Sequence, residues 1–269
     1  MNYTVLGASG FIGSHLVRWL QSQGLPCQAP ARGADLARHP LGHVIYCAGL
    51  TADFRTRPFD TVEAHVCHLL EVLQRATYES LLYLSSTRVY GGAAEAREDA
   101  SLLVNPQDPS DLYNLSKLQG ESLCFSVANK TRVVRLSNVY GDDWESSNFV
   151  TALIRAAVEE KRIVLRTSFD SSKDYIGVNE VVSLLATIAR SGRGRLYNIA
   201  GGVNVSNRQI VERIQAVTGC ELEVQPGAPT ASFPRIDIRR IQEEFGFVPG
   251  SILEAIPELI QHLKQLKTG

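Results

Sequence analysis

Strands and helices alternate along the first half of the chain, and this order restricts the fold more than any other feature does. Short apolar runs predict buried strands over 3–6, 43–48, 81–84 and 131–136. Apolar residues at helical spacing predict helices over 11–23, 61–76 and 110–128, the last with Ser110 as its N-cap. Strands that alternate with helices in this way form a parallel sheet with helices on both faces. The sequence therefore predicts an α/β fold with a doubly wound parallel sheet.

The pattern changes after Gly141, and we predict a second, smaller region there. Loops lengthen, the elements become short, and Pro226, Pro229, Pro234 and Pro249 interrupt the last part of the chain. We expect the sheet region to comprise residues 1–140 together with a returning segment at about 175–200. The smaller C-terminal region then comprises about 141–174 and 201–269, and we expect it to lie over the sheet.

Charge and composition exclude several classes of protein. Lys and Arg number 27 against 28 Asp and Glu, so the chain lacks the basic excess that nucleic-acid binding usually requires. The sequence has no apolar run as long as a membrane span, and its first seven residues do not resemble a signal peptide. Its five cysteines include no CxxC pair, so neither a zinc site nor a disulfide framework is indicated. We expect a cytoplasmic protein without metal, nucleic-acid or membrane partners.

A glycine-rich turn joins the first predicted strand to the first predicted helix. Gly7, Gly10 and Gly13 are spaced as GxxGxxG, with Phe11 and Ile12 between the last two. Glycines let the backbone turn sharply and approach a ligand, and the helix N-terminus presents free N–H groups to phosphates. A glycine triplet alone is also typical of a tight turn. Its position at the first strand–helix junction favours dinucleotide binding.

Two further motifs carry hydroxyl and amine chemistry. Tyr113 and Lys117 are four residues apart in a predicted helix, so they share one face. An ammonium beside a phenol favours the phenolate and lowers the tyrosine pKa, although such a pair alone is usually a solvated face. Ser85 and Ser86 follow a buried strand at the edge where parallel sheets bind ligands, and a serine there can donate to a substrate oxygen.

Taken together, these motifs resemble those of the extended short-chain dehydrogenase/reductase family, the NAD-dependent epimerases and dehydratases that include UDP-galactose 4-epimerase. The resemblance extends over essentially the whole chain. It also rests on further segments of this sequence: Ile45-Tyr46-Cys47-Ala48-Gly49, Val89-Tyr90-Gly91, Gly120-Glu121, Arg135-Leu136-Ser137-Asn138-Val139-Tyr140-Gly141, Lys173-Asp174-Tyr175-Ile176, Tyr197-Asn198-Ile199, and Asp237 before Phe245-Gly246-Phe247-Val248-Pro249.

The resemblance implies a Rossmann-type dinucleotide-binding domain, a substrate-binding C-terminal region and a catalytic set. In that set Tyr113 is the acid/base on a secondary alcohol or ketone, and Ser86 bonds the substrate oxygen. Lys117 holds the nicotinamide ribose and depresses the Tyr113 pKa. The predicted cofactor contacts are Gly7, Gly10, Phe11, Ile12, Gly13, Arg32, Asp35, Leu36, Ala48, Gly49, Tyr113 and Lys117.

The second strand departs from the family pattern in a way that bears on the cofactor. NAD-dependent members carry an acid there for the adenosine ribose, whereas this chain has Ala31 followed by Arg32. An arginine without a neighbouring acid suits the 2′-phosphate of NADP. NADP is therefore favoured and NAD is the alternative. Only ten residues separate Arg32 from His43, so a strand usually present there is expected to be missing.

Other departures concern the reaction and the substrate. Thr87-Arg88 replaces the Asp-Glu pair of the sugar 4,6-dehydratases, which disfavours water elimination of that type. His65 replaces an asparagine that supports the active-site loop, and we predict no catalytic role for it. The resemblance places Asn138, Asn148 and Lys173, besides Ser86, at the substrate, with Arg235 as the candidate for a second cation on a diphosphate.

The sequence thus predicts an NAD(P)-dependent enzyme acting on an alcohol or ketone of a nucleotide-activated sugar. NADP favours a 4-ketoreductase, and an NAD-dependent nucleotide-sugar epimerase is the close alternative. A non-enzymatic NADP sensor ranks lower, because such proteins commonly lose the tyrosine or the lysine. The resemblance also implies a homodimer formed through the predicted helices at 61–76 and 110–128.

Overall fold

A computed structural model describes residues 2–37, 39–51, 53–127, 129–146 and 148–268. The chain divides into two units. Unit 1 comprises Met1–Ala93, Glu98–Leu136 and Val178–Ile199, and unit 2 comprises Ala94–Arg97, Ser137–Gly177 and Ala200–Gly269. Among the described residues, none of the helices is both long and apolar enough to cross a bilayer.

Unit 1 is built around a six-stranded parallel sheet. Its strands are, in spatial order, β2 (Cys27–Gln28), β1 (Tyr3–Leu6), β3 (His43–Tyr46), β4 (Ser80–Ser86), β5 (Thr131–Leu136) and β9 (Leu196–Ile199). The flanking helices are α1 (Phe11–Ser22), α2 (Pro58–Val62), α3 (His68–Arg75), α4 (Leu112–Ser126) and α6 (Val178–Ser191). Helix α6 packs on β3 and β4 and against α1, while α4 packs on β4 and β5 and against α3. This is a Rossmann-type fold, which confirms the predicted fold class.

Unit 2 has two small sheets and its own apolar core. The strands are β6 (Asn138–Tyr140), β7 (Arg162–Leu165), β8 (Ser172–Gly177), β10 (Asn204–Ser206) and β11 (Glu221–Val224). Strand β8 lies between β10 and β6, and β7 pairs with β11. The helices are α5 (Phe149–Glu159), α7 (Asn207–Thr218), α8 (Arg239–Phe245) and α9 (Ile252–Thr268). Buried side chains of α5, α7 and α9, among them Ile154, Ile210 and Ile256, form the core of this unit.

The helix predicted over 61–76 begins earlier and is not uniform. It starts at Pro58, where a proline suits the first turn, and residues Glu63–Cys67 between α2 and α3 form a π-helix. The wider turn leaves backbone carbonyls of this segment available to side chains of the sheet. Tyr46 Oη donates to the Ala64 carbonyl at 2.6 Å, and Tyr83 Oη donates to the His65 carbonyl at 3.2 Å. The π-helix is thus held against β3 and β4 by two buried tyrosines.

The start of α4 also differs from the prediction. Ser110 belongs to a short 3₁₀ turn, Pro109–Asp111, and α4 itself begins at Leu112. Asp108 caps this turn, because its carboxylate accepts from the Ser110 backbone N–H at 2.8 Å. The prediction that Ser110 is the helix N-cap is therefore wrong. Ser110 lies inside the preceding turn, and its backbone N–H donates to Asp108.

A buried ion pair joins the centre of the sheet to α4. Arg135 on β5 and Glu121 on α4 are 4% and 3% exposed, and Arg135 Nη2 lies 2.7 Å from Glu121 Oε2. Arg135 Nε donates to the other carboxylate oxygen at 3.0 Å, and Ser85 Oγ donates to it at 2.6 Å. Arg135 Nη1 also donates to Tyr90 Oη at 2.8 Å, and that hydroxyl donates to Asn198 on β9. One network therefore connects β4, β5, β9 and α4 with the turn at Thr87–Tyr90.

We predict that Glu121→Gln strongly destabilises the protein. The substitution keeps the size of the side chain but leaves the buried Arg135 guanidinium without its counter-ion. Removing one partner of a buried pair typically costs about 3–5 kcal/mol. Urea unfolding of the variant measures the loss. The control is Glu223→Gln, which removes an exposed partner of Arg162 and should cost less than about 1 kcal/mol. Equal effects of the two substitutions would contradict the prediction.

Candidate active site

A pocket of about 980 Å³ opens in unit 1 around the turn between β1 and α1. Its lining includes Gly7, Gly10, Ala48 and Gly49, four of the predicted cofactor contacts. Gly7 has φ +85°, and a Cβ there would lie 2.6 Å from the Ala48 backbone nitrogen. Only glycine therefore allows the turn to pass so close to the end of β3. Phe11, Ile12 and Gly13 are outside the lining of this pocket.

The first turn of α1 is built to present its N-terminus to the pocket. A Cβ on Gly13 would overlap the Gly7 carbonyl, so this glycine lets the helix pack directly against the turn. The first turn carries no acidic residue. Its N–H groups and the positive end of the helix dipole are thus available to an anion, as a pyrophosphate requires.

Basic residues line another part of the same pocket. Arg32, Asp35 and Leu36 lie in its wall, as does Arg18 of α1, which the sequence reasoning missed. Arg32 and Arg18 have no ion-pair partner among the described residues, whereas Arg75 of this wall pairs with Glu71 at 3.1 Å. Strand β2 ends at Gln28, so Arg32 belongs to the loop that connects β2 to β3. The described part of this loop contains no strand, in line with the expected shortening.

The structure brings Ser86, Tyr113 and Lys117 together beside this pocket. The Tyr113 side chain is only 4% exposed, and its phenol lies near the hydroxyls of Ser86 and Thr51, which favour its ionised form. Lys117 is one turn further along α4, and its Nζ donates to the Leu84 carbonyl at 2.8 Å. A Cβ on Gly49, which lines the pocket, would lie 3.4 Å from Lys117 Nζ. Thr51 is a contact that no sequence motif indicated.

The electrostatics of the pair differ from the sequence prediction. Burial raises the Tyr113 pKa above its ordinary value, and the hydrogen bonds from Ser86 and Thr51 and the charge of Arg88 only partly oppose this. Burial also lowers the Lys117 pKa to about 7. Lys117 Nζ lies 5.9 Å from the Tyr113 ring centroid. Desolvation thus opposes the lowering of the Tyr113 pKa that the sequence reasoning expects from Lys117, and this role of Lys117 stays a prediction.

His65 packs against the Tyr113 ring, with ring centroids 5.4 Å apart, and is fully buried. Its Nε2 accepts from the Leu50 backbone N–H at 3.2 Å, and its Nδ1 lies 2.8 Å from Ser116 Oγ. Ser116 Oγ in turn donates to the Tyr113 carbonyl at 2.9 Å. Burial and the nearby Lys117 lower the His65 pKa to about 2, so the ring stays neutral with its proton on Nδ1. The histidine thus links the loop after β3 to the first turn of α4.

Arg88 is a further residue of this site. In the sequence it is notable only because it stands where the dehydratases carry an acid. Its guanidinium carbon lies 4.9 Å from the ring centroid of Phe54 and 5.7 Å from that of Tyr113. The Arg88 backbone N–H donates to Ser86 Oγ at 3.2 Å. A cation and a serine acceptor therefore come from one short turn next to the tyrosine.

The remaining predicted substrate contacts lie in unit 2. Lys173 Nζ lies 5.4 Å from the ring centroid of Phe149, the residue that follows Asn148 at the start of α5. Asn138 on β6 donates to the Asp174 carbonyl at 2.8 Å. Arg235 Nε donates to the Gly202 carbonyl at 2.6 Å. Lys173 thus stands over the Phe149 ring at the start of α5, while Arg235 is anchored on the loop before β10.

Comparison with known proteins agrees with this geometry. The profile of the NAD-dependent epimerase/dehydratase family matches residues 3–200. The chain belongs to this family, whose members are enzymes of the extended short-chain dehydrogenase/reductase type.

Individual relatives are similar over most of their length. GDP-6-deoxy-D-mannose reductase of Pseudomonas aeruginosa is 29% identical over 250 residues, which cover 82% of this chain and 81% of the relative. The structure of MoeE5 in complex with UDP-glucuronic acid and NAD has a TM-score of 0.80 and 25% identity, and the match covers 98% of this chain and 99% of the other. The structure of RMD from Pseudomonas aeruginosa complexed with NADPH has a TM-score of 0.80 and 23% identity, with coverage of 98% and 99%.

Proposed function

We propose that the protein is an NAD(P)-dependent oxidoreductase that acts on a secondary alcohol or ketone of a nucleotide-activated sugar, and that it works as a 4-ketoreductase. The observation that carries the proposal is the grouping of Ser86, Tyr113 and Lys117 at the edge of a pocket whose glycine turn leaves room for a dinucleotide. The relative named as a GDP-6-deoxy-D-mannose reductase supports a reductase that uses a nucleotide sugar.

The residues of unit 1 fit a nicotinamide dinucleotide. The N–H groups at the start of α1 hold the pyrophosphate, and Gly7 and Gly49 let it approach the backbone. When bound, the nicotinamide supplies or accepts a hydride at its C4 atom. Lys117 holds the ribose next to the nicotinamide, since its Nζ lies at the wall of the pocket beside Gly49.

Ser86 and Tyr113 supply the hydrogen bonds and the proton that the substrate oxygen needs. Ser86 and Tyr113 both donate to the ketone oxygen of the substrate. As the carbonyl carbon gains a hydride, negative charge builds on that oxygen and Tyr113 transfers its phenolic proton to it, so that the product is an alcohol. The hydroxyl of Thr51 and the charge of Arg88 stabilise the phenolate that remains, while Ser86 keeps its hydrogen bond to the product oxygen. His65 stays neutral and positions the helix turn that carries Tyr113.

Epimerisation is the second candidate. An epimerase removes a hydride from the sugar and returns it to the other face, so it needs the same three side chains and a retained NAD. The nucleotide that copurifies with the protein separates the two candidates, because retained NAD favours the epimerase and a site filled from added NADPH favours the reductase. A non-enzymatic sensor is disfavoured, since Tyr113 and Lys117 are both in place.

We propose NADP as the preferred cofactor. Arg32 is exposed in the pocket wall, follows the small residue Ala31, and has no counter-ion among the described residues. A 2′-phosphate supplies the missing negative charge.

We propose that the diphosphate of the substrate is bound in unit 2 by Lys173, with Asn138 and Asn148, and with Arg235 as a second cation. Lys173 stands over the Phe149 ring at the start of α5, next to Asn148. Such a lysine contributes a point charge to a phosphate and no bidentate contact.

We also propose a homodimer formed through the helical segments Pro58–Arg75 and α4. Each exposes an apolar residue, Leu70 and Phe125, at 38% and 37%. Sedimentation velocity measures the state, and a monomer at micromolar concentration would exclude this interface.

The first prediction concerns catalysis. Tyr113→Phe keeps the ring and removes the proton donor, so we expect kcat to fall by about 10²–10⁴-fold while cofactor binding persists. The measurement is the oxidation rate of NADPH with a 4-keto nucleotide sugar, and the control is cofactor fluorescence. Turnover within a few-fold of wild type would remove Tyr113 from this role.

The second prediction concerns the cofactor. Arg32→Ala removes a charge-assisted contact of about 1.5–3 kcal/mol, so the affinity for NADP should fall about 10- to 100-fold and that for NAD should stay nearly constant. Calorimetric Kd values for both dinucleotides measure the ratio. Arg75→Ala is the matched control, since it removes a cation of the same pocket that Glu71 already neutralises. A wild-type preference for NAD would overturn the assignment and favour the epimerase.

The third prediction concerns the substrate diphosphate. The cofactor-loaded protein should bind one of UDP, GDP, CDP or dTDP, with an affinity that falls as salt rises, because mobile ions screen an exposed cation. Lys173→Ala should weaken this binding, whereas Lys267→Ala, which removes an exposed partner of Glu159, should not. No binding of any of the four at millimolar concentration would exclude a nucleotide-sugar substrate.

A further inference from the structure

Two arginines flank one buried aromatic ring beside the catalytic tyrosine. Phe54 is 2% exposed, and its ring centroid lies 5.3 Å from that of Tyr113. The guanidinium carbon of Arg55 lies 4.5 Å from the Phe54 centroid, and that of Arg88 lies 4.9 Å from it. Phe54 therefore holds two positive charges at one place, next to the group that handles the proton.

These two charges have no counter-ion within the described part of the chain. Neither Arg55 nor Arg88 forms an ion pair there, and Arg88 makes only a long hydrogen bond to the Ser110 carbonyl at 3.4 Å. Burial and the like charge of Arg55 lower the Arg88 pKa. Arg88 is half-buried and Arg55 is exposed, and a bound anion would relieve the repulsion between these two cations and make charge-assisted hydrogen bonds to both.

The nearest acids are already engaged elsewhere. Asp108 and Asp111 are close enough for their charges to act on Arg88. The Asp108 carboxylate, however, accepts from the backbone N–H and the hydroxyl of Ser110 at 2.8 and 2.7 Å. One oxygen of Asp111 accepts from the Asn105 backbone N–H, and the other accepts from the Asn114 side chain, each at 2.7 Å. These acids cap turns and do not close the arginine pair.

We propose that Arg55 and Arg88 bind a carboxylate on the sugar of the substrate, so that the enzyme acts on a nucleotide-activated uronate. This rests on the proposed function. Ser86 and Tyr113 hold the reacting oxygen, and Arg88 follows Ser86 by two residues and stands over the Tyr113 ring. In a hexuronate that reacts at C4, the C6 carboxylate is attached to the neighbouring carbon C5. The Arg88 guanidinium carbon is 5.7 Å from the Tyr113 ring centroid, so the arginine pair lies close enough to the reacting oxygen to meet a carboxylate one carbon away.

The chemistry of the pair favours a carboxylate over a neutral sugar group. A guanidinium binds a carboxylate through two parallel N–H bonds, and such contacts are about twice as strong as neutral hydrogen bonds. A hydroxymethyl group in the same place would leave both charges uncompensated. Specificity for the uronate thus comes as much from the penalty for the neutral sugar as from the contact with the acid.

The experiment compares matched pairs of ligands with the cofactor-loaded protein. Calorimetry gives the Kd of UDP-glucose, UDP-glucuronate, GDP-mannose, GDP-mannuronate and the bare diphosphates UDP and GDP. We expect the wild type to bind the uronate of at least one pair about 10- to 100-fold more tightly than the neutral sugar. Arg88→Gln and Arg55→Gln should each reduce this ratio to within a few-fold of one, and Arg55→Gln should also leave the Kd of the neutral sugar nearly unchanged.

Three controls keep the outcomes separate. Lys173→Gln should weaken both members of a pair equally, and Arg162→Gln, which removes an exposed partner of Glu223, should change neither. Cofactor affinity shows whether each variant is folded. Because Arg55 is exposed, Arg55→Gln tests the proposal even if Arg88→Gln misfolds.

A wild-type ratio near one overturns the uronate proposal alone. Equal weakening of uronate, neutral sugar and bare diphosphate in Arg88→Gln also overturns it, because the bound anion would then be the diphosphate. Absence of binding by every nucleotide overturns it together with the proposed function.

Discussion

The Arg135–Glu121 ion pair is the interaction on which the arrangement of unit 1 depends. Two charges removed from water are tolerated only when every donor and acceptor finds a partner. Here Ser85, Tyr90 and Asn198 complete the set, so β4, β5, β9 and α4 have little freedom to slide. Ser86 follows Ser85 directly, and Lys117 precedes Glu121 by one helical turn. The buried pair therefore helps to fix the positions of the Ser86 hydroxyl and the Lys117 amine relative to each other.

Burial shapes the electrostatics of the site as strongly as the charges do. It raises the Tyr113 pKa, lowers the Lys117 pKa to about 7 and keeps His65 neutral. Each of these effects opposes a charged form, as a dry site must. Arg88 is the exception, because its guanidinium remains charged at any physiological pH. This permanent cation beside the Tyr113 phenol favours the phenolate whether or not Lys117 is protonated.

Local sequence signals were sufficient where neighbouring residues decide the structure. The strand at 3–6, its glycine turn and α1 follow from apolar spacing and from the space that Gly7 and Gly13 leave free. The i, i+4 spacing of Tyr113 and Lys117 likewise depends only on the helix. Asn138, Asn148, Lys173 and Arg235 are located in the fold, but their role as substrate contacts stays a prediction.

Features that depend on distant contacts could not be predicted. The π-helix at Glu63–Cys67 receives hydrogen bonds from Tyr46 on β3 and Tyr83 on β4. No periodicity in the sequence reveals these contacts. The sequence around His65 is that of an ordinary helical histidine. Its hydrogen bonds to the Leu50 backbone and the Ser116 hydroxyl come from other segments of the chain. Phe54 and Arg55 come from a loop without a motif, so their meeting with Arg88 is visible only in three dimensions. Ser110 is not the cap because it lies inside the turn that Asp108 caps, and its hydroxyl donates to the Asp108 carboxylate.

The shortness of β2 has a consequence for how the protein behaves at high concentration. An edge strand presents unpaired backbone groups that can recruit a strand from another molecule, and natural proteins limit this hazard with very short edges and prolines. Strand β2 has only two residues, Cys27 and Gln28, and it is bounded by Pro26 and Pro30. An incoming strand would find too few hydrogen bonds to form a ladder there. The truncation that leaves Arg32 in a loop therefore also protects this side of the sheet against edge-to-edge aggregation.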